Sequence, residues 1–172
     1  MATIKTLVTS LEMCQQSADL LPLLPQNVEL KLIANIDISD YKALYAEIGQ
    51  NYCWTSRLLI TDDELLKIIH NPNVQIYQLI ENDRPIGFFE LSQKNMPRSV
   101  EISFIGLVDS AIGRGLGRLL AQYAIAHAWA AKPNRIIIQT CTLDHKRALP
   151  LYQKLGFKAY NRHVTEFKIS ND

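Results

Sequence analysis

The residues most able to do chemistry stand close together in "IGRGLGRLL", residues 112–120. Gly113, Gly115 and Gly117 alternate with larger residues, Arg114 and Arg118 add positive charge, and an apolar run follows. Bare backbone beside cations at the mouth of a helix is an anion site. First-turn N–H groups have no intrahelical partners. The helix dipole adds partial positive charge, and glycine lets an anion approach without meeting a Cβ. A pyrophosphate fits this description. Upstream, Glu90 and Glu101 each interrupt an apolar run. A carboxylate in a sheet interior is costly without a partner or a task. Two of them near one another across a strand pair would raise one pKa, which suits a general base. The alternative is that both lie at a wet strand end and pair with Arg98 or a lysine.

Two common phosphate motifs do not fit. A P-loop needs Lys followed by Ser or Thr, and Gly113 is followed by "RGLGRLL". A dinucleotide fingerprint started at Gly113 puts Arg118 at its third glycine, and one started at Gly115 puts Leu120 there. No metal pattern is present either. Cys14, Cys53 and Cys141 are far apart, and His70, His127, His145 and His163 are scattered. Cys141 lies on a predicted strand, where a cysteine is more simply a small hydrophobe than a covalent nucleophile.

These residues need elements to hold them. Residues 3–14 favour an extra edge strand, with a helix as the alternative, and 15–27, with two prolines, read as a surface connection. Residues 28–36 alternate as a strand. A helix follows over 37–49, capped by Ser39 or Asp40 and ended by Gly49, then a short one from Thr61, whose spacing to Glu64 is a capping box. "VQIYQLIE" and "IGFFELSQ" form a hairpin across "NDRP", with a somewhat long loop. Residues 99–108 make the next strand, and "GLGRLLAQYAIAHAWAA" is helical, with Leu116, Leu120, Tyr123 and Ala124 on one stripe. Residues 135–142 read as a strand buried on both faces. A helix capped by Asp144 and stopped by Gly156 precedes two short strands, near 158–160 and 164–169. The class is α+β: a mixed, mostly antiparallel central sheet flanked by helices, with one β–α–β crossover carrying the glycine loop.

On these residues a resemblance emerges. "LVDSAIGRGLGRLL" is similar to the acetyl-CoA-binding motif of the GNAT superfamily of N-acyltransferases, Q/R-x-x-G-x-G/A, with Gly115 and Gly117 at its small positions. Ile112 departs from its first position. "HKRALPLYQKLGF" resembles the family segment N-x-x-A-x-x-x-Y-x-x-x-G-F through Ala148, Tyr152, Gly156 and Phe157, with His145 in place of Asn. The strand order over 28–169 follows the family pattern, and residues 1–27 fall outside it.

The resemblance implies direct attack of a primary amine on acetyl-CoA in a ternary complex. The pantetheine arm would enter a gap between the strands flanking the cofactor helix and pair with Ile105, Gly106 and Leu107. The pyrophosphate would sit on the backbone of Gly113, Arg114, Gly115, Leu116, Gly117 and Arg118, and His145 would contact the arm. Tyr152 would protonate the departing thiolate. Glu101, with Glu90, is the candidate base. A strand rises about 3.3 Å per residue, so Glu101 is on the order of 20 Å from its strand's end. A bulge at Gly106 and bridging waters would shorten that path. The acceptor wall would come from "GQNYCWTSR", where Tyr52 and Trp54 suit a flat or apolar group and Arg57 could meet a carboxylate.

Bulk properties limit the partners. The chain has 172 residues, enough for one domain over 1–172, with 1–27 an N-terminal extension of an added strand and a connection. A net charge of +1 argues against a general nucleic-acid surface. No apolar run is long enough for a membrane span. No signal peptide is apparent and the cysteines are odd in number, so a cytoplasmic location is expected. The expected function is acetylation of a small molecule or amino acid, without metal; a homodimer is left open. A protein N-terminal or lysine acetyltransferase, and a non-catalytic acyl-CoA-binding or regulatory module, are the alternatives.

Overall fold

The computed structural model describes residues 2–169. The strands are β1 (Ala2–Met13), β2 (Val28–Leu32), β3 (Val74–Glu81), β4 (Arg84–Ser92), β5 (Val100–Leu107), β6 (Ile136–Cys141) and β7 (Lys158–Ile169). The helices are α1 (Ile38–Gly49), α2 (Asp62–Ile69), α3 (Leu116–Ala130) and α4 (Ala148–Lys154), with a single 3-10 turn at Asp109–Ala111. One seven-stranded sheet runs in the order β2-β3-β4-β5-β6-β1-β7. Every pairing is antiparallel except β5 with β6, which are joined by α3. The fold is the mixed α+β class expected.

Local chemistry explains the elements. Asp37, and not Ser39 or Asp40, caps α1, because its Oδ1 accepts from the Ser39 and Asp40 N–H groups at 2.8 and 3.2 Å. At α2 the Thr61–Glu64 capping box forms in both directions. The β3–β4 hairpin is tighter than expected. Asn82 and Asp83 both take positive φ, 48° and 65°, so two residues suffice for the turn. In α3 the buried stripe is Leu116, Leu119, Leu120, Ala124 and Ala128, which packs on β4 and β5.

Four other expectations are corrected. Strand β1 is not an edge; it lies between β6 and β7. Residues 8–11 are buried consecutively, which only a strand covered on both faces permits. The C-terminal strands are one, β7, because β1 is long enough to pair along its whole length. In β6, Ile136, Ile138 and Thr140 are buried while Gln139 is exposed, so only one face is fully covered. Helix α4 begins at Ala148 and not after Asp144, because the Asp144 carboxylate turns back onto β6.

Candidate active site

The parallel ladder between β5 and β6 is short. Val100, Glu101 and Ile102 pair with Ile136, Ile137 and Ile138, and the pairing stops there. On its other edge, β5 carries a bulge: Leu91 opposes Ile102 and Glu90 opposes Phe104, which leaves Ser103 extra. A bulge bends its strand and increases twist. It falls where β5 and β6 part, at Ser103 and not at Gly106. Beyond it, residues 103–107 have no ladder partner on the β6 side among the described residues. A cavity of about 1290 Å³ occupies the gap, lined by Ile105, Gly106, Leu107, Gly113, Gly115, Gly117 and Arg118 among others.

At one end of the cavity is the N-terminus of α3. Gly115 occupies the cap position with φ 78°, and no side chain among the described residues caps the helix. A Cβ added at Gly113 or Gly115 would meet nothing within 4 Å, so the space before these backbones is open. The first-turn N–H groups of Leu116, Gly117 and Arg118 therefore face an approach path with no protein acceptor, and Arg118 makes no ion pair among the described residues. These residues fit the pyrophosphate of acetyl-CoA. Arg114 does not point there. Its guanidinium holds Glu81 through two bonds, of 3.1 and 2.5 Å, and it does not line the cavity. The Leu116 side chain is buried in the core, leaving only its backbone for an anion.

The other half is built from side chains. Glu90, on β4, is 1% exposed. It accepts from the Tyr41 hydroxyl at 2.9 Å and from Arg57 Nη2 at 2.7 Å. Burial raises its pKa; Arg57 and the Tyr41 bond oppose that, and the charge of Glu101 adds a smaller upward push. Burial, followed by the charge of Glu90, holds the Tyr41 phenol far above its ordinary value. Glu101 is not opposite Glu90, as a symmetric register would have it. It opposes Ser92, so the two carboxylates are diagonal neighbours, and neither meets Arg98 or a lysine in an ion pair among the described residues. Arg57 lies over the Phe104 ring, 5.1 Å from its centroid. Trp54 packs on Phe104, Phe88 and Tyr45 and covers Gly106, where an added Cβ would stand 2.5 Å from Ile48 Cγ2 and 3.2 Å from Trp54 Cη2. Glycine is thus required at residue 106 for α1 and Trp54 to close on β5.

The turn between β6 and α4 joins the halves. Asp144 accepts from the Thr140 hydroxyl at 2.7 Å and from the Cys141 N–H at 2.9 Å, and its other oxygen meets Trp54 Nε1 at 3.5 Å. His145 Nδ1 accepts from the Arg147 N–H at 3.1 Å, and its ring meets that of Tyr52 edge-on. Tyr152, on α4, lines the cavity and makes no side-chain hydrogen bond among the described residues. Burial, with the charge of Asp144 second, holds its phenol above the ordinary value.

The cavity thus gathers Tyr152, Glu101, Glu90, His145, Tyr52, Trp54 and Arg57 with the glycine loop, and leaves out Arg114. Sequence reasoning missed Tyr41, Asp144 and Phe167. The i, i+4 spacing of Tyr41 and Tyr45 reads only as a helix face, and nothing in it marks a hydroxyl aimed at a carboxylate. Phe167 reaches the cavity from β7.

With this geometry in place, the chain's kinship can be stated. Residues 37–157 match the model of the acetyltransferase (GNAT) family, and the chain belongs to that family. Among curated proteins it is 34% identical over 84 residues to a mycothiol acetyltransferase of Jonesia denitrificans, across 49% of this chain and 26% of that one. It is 31% identical over 86 residues to the mycothiol acetyltransferase of Corynebacterium efficiens, across 50% and 28% of the two chains. The chain therefore spans little more than a quarter of the length of those relatives. Its fold is that of a GCN5-related N-acetyltransferase from Sphaerobacter thermophilus, with TM-score 0.68, 15% identity, and coverage of 94% of this chain and 51% of the other. A tandem GNAT protein from the clavulanic acid biosynthesis pathway superposes with TM-score 0.62 and 15% identity, over 97% and 55% of the chains. No helix among the described residues is long and apolar enough to cross a membrane.

Proposed function

We propose that the chain is an N-acetyltransferase that moves the acetyl group of acetyl-CoA to a primary amine of a small molecule, by direct attack in a ternary complex. The observation that carries this reading is the break of the β5–β6 ladder after Ile102 and Ile138, beside an uncapped α3 N-terminus. An unpaired strand edge accepts an extended amide-bearing arm by backbone hydrogen bonds. Family membership and the relatives named mycothiol acetyltransferase support acetyl transfer.

In the reaction the amine nitrogen bonds to the thioester carbon, the C–S bond breaks, and the nitrogen loses one proton while the sulfur gains one. Backbone N–H groups on the free edge of β5, beyond the Ser103 bulge, supply hydrogen bonds to the carbonyl oxygen as it becomes negative. Tyr152 is the proton donor to sulfur. It lines the cavity, its hydroxyl has no side-chain hydrogen bond among the described residues, and a phenol is protonated at neutral pH. An amine that arrives as ammonium must give up a further proton before it attacks, and Glu101 takes that proton through water and passes it to solvent. Glu90 is committed to Arg57 and Tyr41 and acts by position.

The test is protection against heat by acetyl-CoA together with acetylation of an amine panel, followed by product mass. Protection with amine-dependent product is expected. Protection without turnover on any amine would favour an acyl-CoA-binding module, and no protection would reject the donor.

A further inference from the structure

We infer that the acceptor is an amino-carboxylic acid whose carboxylate is received by Arg57, with Glu90 holding that guanidinium in position; this rests on the acetyl-transfer reading above. Arg57 has five N–H donors in a fixed fork. Its side chain makes one hydrogen bond, from Nη2 to Glu90, and its Nη1 is the one buried side-chain polar atom without a partner among the described residues. The side chain is only 13% exposed, and the residue lines the cavity. Folded proteins rarely leave a buried donor unpaired. Arg57 therefore carries unused donor capacity on a residue that lines the cavity, and a ligand entering beside it can take that capacity up.

The chemistry of that partner follows from the surroundings. A guanidinium fork matches a planar oxyanion. Charge limits it to one negative unit, because Glu90 already pairs with this arginine and Glu101 lies diagonally across the same strand pair. A phosphate dianion would meet two carboxylates with one guanidinium between them, so a carboxylate is the better match. Arg57 Cζ also lies over the Phe104 ring, which with the Glu90 bond limits how far the guanidinium can move. Glu101, which makes no ion pair among the described residues, also lines the cavity and suits the cationic amine on arrival. Tyr52, Trp54 and Phe104 line the cavity with these two groups and suit the acceptor's apolar body. An amine with a carboxylate on the same small molecule complements all three features.

The experiment compares α- and ω-amino acids with their own amides, in wild type, Arg57→Gln and Arg57→Lys. The two readouts are kcat/KM and heat protection by each compound. Amides differ from acids in amine basicity, so the quantity read is the change in the acid-to-amide ratio on substitution. Arg57→Gln should lower that ratio at least about tenfold, as expected for one charge-assisted hydrogen bond, chiefly through KM. Arg57→Lys should restore it only in part, since an ammonium lacks the fork. Arg57→Gln strands a buried carboxylate, so Arg57→Gln/Glu90→Gln is measured beside it; the same ratio loss is expected. Glu90→Gln should raise KM for acids more than it lowers kcat. A loss confined to kcat would give Glu90 a proton-transfer role and overturn its assignment. An unchanged ratio in the Arg57 variants, or protection by amides equal to that by acids, would overturn the carboxylate assignment and leave acetyl transfer standing. If no compound is acetylated, the transfer reading fails, while selective protection by acids that depends on Arg57 would still support this inference.

Discussion

The two halves of the cavity are made of different material. The half we propose for the donor is backbone: the open N-terminus of α3, two glycines at positive φ, and a strand edge released by a bulge. The half we propose for the acceptor is side chain: Glu90 and Arg57 in a buried cluster braced by Tyr41, with Trp54 packed on Phe104. Backbone donors are indifferent to the identity of most residues around them, so this half suits a donor that never changes. Side-chain clusters are tuned residue by residue, which suits an acceptor that differs between enzymes. Gly106 is the seam. Its backbone lies on the free edge of β5, and its missing Cβ makes room for Ile48 and Trp54.

If the two halves differ in this way, substitutions should affect them separately, and the residue at the seam should affect both. Tyr152→Phe should lower kcat by about 10²-fold or more, the usual contribution of a positioned acid, with heat protection by acetyl-CoA retained. Turnover equal to wild type would make Tyr152 a packing residue. Gly106→Val should disturb both halves together. Overpacking against Ile48 costs about 1–3 kcal/mol, read as a lower denaturation midpoint, and donor and acceptor affinity should fall in parallel. Arg118→Glu should separate the halves. Fold stability should stay within about 0.5 kcal/mol of wild type, as for most surface changes, while protection by acetyl-CoA is lost. Full protection in that variant would remove the pyrophosphate from the α3 N-terminus.

Smaller effects concern protons. Glu90 has a raised pKa in the folded protein, so between its unfolded and folded values the native state binds more protons than the unfolded state. The slope of stability with pH is then negative: wild type should lose stability as pH rises from the ordinary carboxylate range through the raised value. Glu90→Gln should lack that component in denaturation curves taken across pH, and an identical slope in the two proteins would refute the buried-carboxylate account. Glu101→Gln should depress the rate most near about pH 6 and recover toward about pH 9, as the amine loses its proton unaided. A profile overlaying wild type would start the water relay elsewhere.

The same contrast explains what could be read from the sequence. The donor half was legible because glycine alternation and a helical stripe are local signals, as with Gly115, Leu116 and Leu120. The Thr61–Glu64 box and the β–α–β crossover were legible for the same reason. Strand β1 was legible as a strand but not as an interior one, since that depends on β6 and β7 at the far end of the chain. The Asp144 turn was hidden because aspartate before a helix also reads as a cap. The Arg57–Glu90 pair was least visible of all: its members are 33 residues apart on different elements, and each alone looked like a candidate for something else.

Initial rates of thiol release, with acetyl-CoA and an accepted amine both varied, report whether both halves must be filled before transfer. Transfer across the seam between two occupied halves predicts intersecting double-reciprocal lines, with thiol released only when amine is present. Parallel lines, or thiol released without amine in step with an acetylated enzyme, would contradict it and move the chemistry to a covalent intermediate, for which Cys141, on the cavity wall, would be the first residue to replace.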